Sequence, residues 1–81
     1  MNLERAALRG KLAEAEDACR RLNLKAEGLC IALRQGLNTA LTPFEEIDIP
    51  MLDEQWDTLK STWAELIEIK SNINRLQREL R

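Results

Sequence analysis

The side chains that could carry out covalent chemistry are few, and the two cysteines are the most reactive of them. Cys19 and Cys30 are separated by eleven residues. On one helix this spacing is a rise of about 16 Å, well beyond the separation that a disulfide bond tolerates. We therefore expect no bridge within the chain. The sequence predicts two buried, reduced thiols, and the alternatives are a bridge between two chains or a redox role.

Carboxylates are the second group that could act chemically, as acid and base pairs. Two sets lie close together in the sequence: Glu14, Glu16 and Asp17, and Glu65 with Glu68. Such charges on a helix usually form a solvated face. The chain has no histidine, which is the commonest general base and a frequent metal ligand. It also lacks a CxxC pair, a glycine-rich phosphate loop and a nucleophile elbow. The sequence therefore predicts a protein that is not an enzyme and has no catalytic residue, cofactor or metal site.

The composition predicts the elements that carry these side chains. The 81 residues are 32% charged and 4% aromatic, and leucine, glutamate, alanine and arginine dominate. This bias is typical of long helices and coiled coils, and the length fits one domain, residues 1–81. No apolar run approaches the roughly 18 residues that a membrane span needs. We expect a soluble cytoplasmic protein without a membrane partner.

Helical periodicity places the first helix at about residues 2–41. Apolar and small side chains recur there at alternating spacings of four and three, which is the pattern of a coiled-coil interface. We call the line of side chains that faces the other helix the seam. The predicted seam residues of the first helix are Leu12, Cys19, Leu22, Ala26, Leu29, Leu33 and Gly36.

The second helix is predicted at about residues 50–80, after a connection at about 42–49. The sequence Thr42-Pro43-Phe44-Glu45 predicts a short helical turn within that connection. The predicted seam residues of the second helix are Trp56, Leu59, Trp63, Leu66, Ile73 and Leu80. Lys70 and Gln77 interrupt this line, and Ile69 and Leu76 would restore an apolar one, so the apolar stripe is wider than one seam requires.

The predicted fold is all-α: an antiparallel two-helix coiled-coil hairpin, because the connection is short. A turn centred near residue 46 pairs residues whose numbers sum to about 92. Gly36 would then face Trp56, and Leu29 would face Trp63. Core packing is the predicted role of both tryptophans, and the alternative is a groove that receives side chains of a partner.

Apolar residues beside and opposite the seam predict a second contact surface. The candidates for a partner or dimer surface are Leu24, Ile31, Ile67, Ile69 and Leu76. A hairpin with this much apolar surface is expected to form a homo-oligomer, with a dimer in the form of a four-helix bundle favoured. A different protein is the alternative partner.

Charge is unevenly distributed along the predicted hairpin. Residues 45–57 hold six acids and no base, and they form an acidic tip. The basic open end comprises Arg5, Arg9, Lys11, Arg75, Arg78 and Arg81. The sequence thus predicts a small interaction or assembly module, such as an adaptor, small chaperone or inhibitor. The alternative is a nucleic-acid-binding hairpin dimer that uses the basic open end.

Overall fold

Two long helices make up almost all of the computed structural model, which describes residues 2–81. Helix α1 spans Leu3–Gly36, a single 3₁₀ turn spans Phe44–Glu46, and α2 spans Ile49–Leu80. Residues 2–81 contain no β-strand, and the predicted all-α fold is confirmed. The Cα atoms extend over 64 × 16 × 15 Å, so the molecule is a rod.

The two helices lie side by side in opposite directions, as a helical hairpin. At the end that holds the connection, Gly36 of α1 lies directly against Leu52 of α2. At the open end, the guanidinium group of Arg5 donates a hydrogen bond of 2.7 Å to the carbonyl oxygen of Leu80. Contacts at both ends show that the helices are neighbours over their whole length.

The pairing register differs from the predicted one by four residues. Gly36 touches Leu52, and these residue numbers sum to 88 and not to about 92. Each residue of α1 therefore faces an α2 residue about four positions, or one helical turn, before the predicted one. The cause lies in the end of α1, which stops at Gly36 and moves the centre of the connection towards the N-terminus.

Burial along α2 corrects the predicted seam at two positions. Its buried and half-buried residues alternate at spacings of three and four, and they are Leu52, Gln55, Leu59, Thr62, Leu66, Ile69, Ile73, Leu76 and Leu80. Trp56 and Trp63, which were predicted on the seam, are exposed, and Gln55 and Thr62 take the inward positions. All other predicted seam residues are half-buried.

The polar residues explain why α2 buries the observed seam and not the predicted one. A seam through Trp56 and Trp63 continues into Lys70 and Gln77, whereas the observed seam continues into Ile69 and Leu76 and leaves Lys70 exposed. Burying an unpaired lysine costs far more than burying a hydroxyl that has a partner. Thr62 has one, because its hydroxyl donates a 2.8 Å hydrogen bond to the carbonyl oxygen of Thr58.

Local hydrogen bonds explain why α1 ends five residues before the predicted boundary. The backbone N–H of Leu37 still donates to the carbonyl oxygen of Leu33. The side-chain oxygen of Asn38 then accepts a 3.0 Å hydrogen bond from the N–H of Ala40. This Asx-type turn competes with a further helical turn, and α1 stops.

The start of α2 is fixed by Asp48. Its carboxylate accepts a 3.1 Å hydrogen bond from the N–H of Met51, and Pro50 occupies the first turn. This N-cap satisfies one of the free N–H groups of the helix. The 3₁₀ turn lies within the predicted connection, but it begins after Pro43 and has no side-chain cap. Buried Ile47 anchors the connection to the hairpin.

The observed seam of α2 can be tested at two adjacent residues. Leu76 is 1% exposed and Gln77 is exposed. Leu76→Ala should lower the free energy of unfolding by about 2–5 kcal/mol, because it leaves a cavity between the helices. Gln77→Ala should change it by less than about 0.5 kcal/mol. Urea denaturation followed by circular dichroism measures both, and equal effects would contradict the observed seam.

The glycines provide a test of the close contact near the tip. A Cβ atom on Gly36 would lie 2.5 Å from Cδ2 of Leu52, whereas one on Gly28 would meet nothing within 4 Å. Gly28→Ala should stabilise the chain by up to about 1 kcal/mol through helix propensity. Gly36→Ala should destabilise it by about 1–3 kcal/mol through overpacking. Thermal unfolding measures both changes, and stabilisation by Gly36→Ala would show that the helices are not in close contact there.

Candidate interaction surface

The two tryptophans lie at the surface, next to an apolar groove between the helices. Trp56 is 52% exposed and Trp63 is 64% exposed. The groove has a volume of about 470 Å³. Its lining consists of Ala26 and Cys30 from α1 and of Trp56, Leu59, Lys60, Trp63 and Leu66 from α2. The tryptophans therefore border a groove and do not form a core between the helices.

Small side chains lie beneath the level of the groove. Thr62 is 1% exposed, and the observed register places Ala26 opposite it, since these numbers also sum to 88. Two small residues facing each other make a thin seam at this level. The neighbouring Trp56 and Trp63 then stand above it and form one wall of the depression.

A second depression continues the same surface over α1. It has a volume of about 430 Å³ and is lined by Asn23, Ala26, Glu27, Cys30, Ile31 and Arg34. Ala26 and Cys30 line both depressions, so the two lie on one side of the hairpin. We call this side the tryptophan face and define it by Ala26, Cys30, Ile31, Trp56, Trp63 and Ile67.

The structure separates the five residues that were predicted as a partner or dimer surface. Leu24, Ile31 and Ile67 are exposed. Ile69 is half-buried and Leu76 is buried, because both belong to the observed seam and pack against α1. They are therefore corrected from partner surface to hairpin interior.

The opposite edge of the seam is polar. It carries Lys11 and Lys25 on α1 and Glu65 and Glu79 on α2, and all four are exposed. The register places Lys25 near the level of Glu65, and Lys11 near that of Glu79. Opposite charges across this edge favour a solvated surface, so the edge that holds Trp56 and Trp63 is the more apolar of the two edges of the seam.

The cysteines occupy two different environments. Both are free and half-buried. Cys19 lies on the seam, where the side chain of Asn23 donates a 3.1 Å hydrogen bond to its carbonyl oxygen. Cys30 lines the groove.

Residues 2–81 contain no group of three or more histidine, cysteine, aspartate or glutamate side chains that could hold a metal ion. Neither helix of this range has an apolar stretch of the length that a membrane span requires.

Both charged ends of the rod are exposed. At the basic open end, some side chains form hydrogen bonds within the chain and others do not. The guanidinium of Arg75 donates to Glu79 at 3.2 Å and to Asn72 at 2.7 Å, and that of Arg5 is bound to Leu80. Arg9, Lys11, Arg78 and Arg81 form no ion pair with another residue of the range 2–81. Two of the six basic side chains at the open end thus have hydrogen-bond acceptors within the chain, Arg5 and Arg75.

Comparison with known proteins adds nothing to this geometry. No protein-family model, curated protein or solved structure matches the chain.

Proposed function

We propose that the chain is a small, non-enzymatic protein–protein interaction and assembly module that binds through its tryptophan face. The observation that carries the proposal is the exposure of Trp56 and Trp63 beside an apolar groove. Tryptophan is enriched among residues that dominate binding energy. Contiguous exposed apolar patches on proteins mark binding sites.

The amount of exposed surface supports a homodimer as the assembled form. The chain exposes 6386 Å², whereas a compact protein of its mass exposes about 5,000 Å². The excess is about 1,400 Å² per chain. Stable homodimers commonly bury about 1,000–2,500 Å² per subunit. An interface of that size would cover the tryptophan face and bring the exposed surface close to that of a compact protein.

The proposed assembly is a four-helix bundle built from two antiparallel coiled-coil hairpins. The buried and half-buried residues of α2 recur at alternating spacings of three and four, which is the spacing of a coiled coil. Stacking two tryptophan faces would give each helix a second packed side, as bundles require. A cytoplasmic location is part of the proposal, since unpaired thiols such as Cys19 and Cys30 stay reduced there.

The proposal is tested by molar mass in solution, measured by light scattering over a hundredfold range of concentration. The wild-type chain should approach twice its monomer mass of 9.3 kDa. Trp56→Lys/Trp63→Lys should remain monomeric and helical, because it places two charges in the proposed interface.

The matched control is Leu3→Lys/Leu24→Lys. It also introduces two lysines at exposed apolar positions, 79% and 69% exposed, but outside the tryptophan face. This variant should dimerise like the wild type. A wild-type chain that stays monomeric throughout, or a control that dissociates as readily as the tryptophan variant, would contradict the proposal.

A further inference from the structure

We propose that two copies stack their tryptophan faces in antiparallel orientation, so that the acidic tip of each copy lies over the basic half of the other. This inference rests on the proposed function, because it specifies the orientation in which the proposed homodimer forms through the same surface. The order of side chains along one line of α2 indicates this orientation.

That line, the α2 outer stripe, runs next to the seam from the tip to the open end. Its residues are spaced by three and four and all are exposed: Asp53, Trp56, Lys60, Trp63, Ile67, Lys70, Asn74, Gln77 and Arg81. The stripe begins with an acid, has its apolar residues near the middle, and ends with two bases among amides. Lys60 interrupts the apolar part, but its ammonium group is paired with Asp57 at 3.0 Å.

Such a stripe is complementary to a reversed copy of itself. Trp63 lies about 21 Å from the start of α2 and about 26 Å from its end, at 1.5 Å per residue. A twofold axis at this level therefore allows the two rods to overlap over almost their full length. Apolar side chains of the two copies would then meet near Trp63, and Trp56 would lie at the level of Lys70 of the other copy, where a cation–π contact can form.

The charges outside the stripe favour the same orientation. Glu45 and Glu46 extend the acidic tip, and Arg9 and Lys11 extend the basic end, and all are exposed. Reversed rods bring these opposite charges within about a Debye length, roughly 10 Å at 0.1 M salt. Parallel rods would instead place acid against acid and base against base. A second copy thus supplies both the apolar surface and the charge pattern that the stripe matches.

The orientation can be measured directly with spin labels. A variant without native cysteines, Cys19→Ala/Cys30→Ala, would receive a label at the exposed tip position through Thr39→Cys, and its dimeric mass would be checked first. In the antiparallel dimer, the two tip labels should be more than about 40 Å apart, given the helical rise and the 64 Å length of the rod. Labels less than about 25 Å apart in a dimer, a spacing that side-by-side helix packing allows, would overturn the antiparallel orientation.

Charge reversal tests the proposed complementarity independently. The tip variant is Glu46→Lys/Asp53→Lys, and the end variant is Lys70→Glu/Arg81→Glu. None of these four side chains forms an ion pair with another residue of the described range 2–81. Each variant alone should dimerise at least about tenfold more weakly than the wild type at low salt, and an equimolar mixture should form heterodimers in preference to either homodimer.

Two controls complete the design. Glu14→Lys/Glu68→Lys changes the net charge by the same amount as the tip variant but lies outside the stripe, and it should dimerise like the wild type. Added salt should weaken wild-type dimerisation. This salt dependence tests the antiparallel docking without any substitution, in case a charge-reversed variant loses its helicity. Tip and end variants that dimerise as well as the wild type, or a wild-type affinity that rises with salt, would overturn the antiparallel docking.

The outcomes separate the two proposals. A chain that remains monomeric would refute both the homodimer and its orientation. A dimer that dissociates on Trp56→Lys/Trp63→Lys, but whose tip labels lie close together, would retain the proposed function and refute the antiparallel orientation alone.

Discussion

The register between the two helices is the constraint on which the rest of the structure depends. It is set where Gly36 meets Leu52 without space for a further carbon atom. Each helix presents one line of side chains to its neighbour, so the register decides which residues become interior and which become surface. Because Thr62 and Leu76 are buried, the adjacent tryptophans must lie on the outside. The exposed face is thus a consequence of the buried one.

Much of the fold could be predicted from the sequence, because helical periodicity is a strong signal over thirty or more residues. The all-α class and the hairpin-forming pair of helices followed from it. The boundaries were less accurate. The end of α1 depends on a turn formed by the side chain of Asn38, and the start of α2 depends on the cap formed by Asp48. Such local hydrogen bonds compete with helix extension by amounts too small for a periodic pattern to reveal.

The seam of α2 shows why the candidate site could be predicted only in part. Two lines of side chains, one through Trp56 and Trp63 and the other through Ile69 and Leu76, contain equally many apolar residues, so a count of apolar positions cannot distinguish them. What distinguishes them is the cost of burying Lys70 compared with Thr62, whose hydroxyl has an acceptor one turn earlier. That difference was available in the sequence, and weighing it would have placed the tryptophans at the surface. The groove itself also depends on which α1 residues lie beside the tryptophans, and Ala26 and Cys30 are placed there only once the register is known.

The hairpin topology has a consequence for how the chain folds. The contacts between the helices range from the nearby pair Gly36 and Leu52 to Arg5 and Leu80, which are separated by 75 residues in the chain. Loop-closure entropy grows with the length of chain that must be closed. Pairing that starts at the connection closes the shortest loop first, and each later pair then adds little to the loop already closed. The two helices should therefore pair first near the tip and last at the open end. Amide hydrogens at the open end should exchange fastest with solvent.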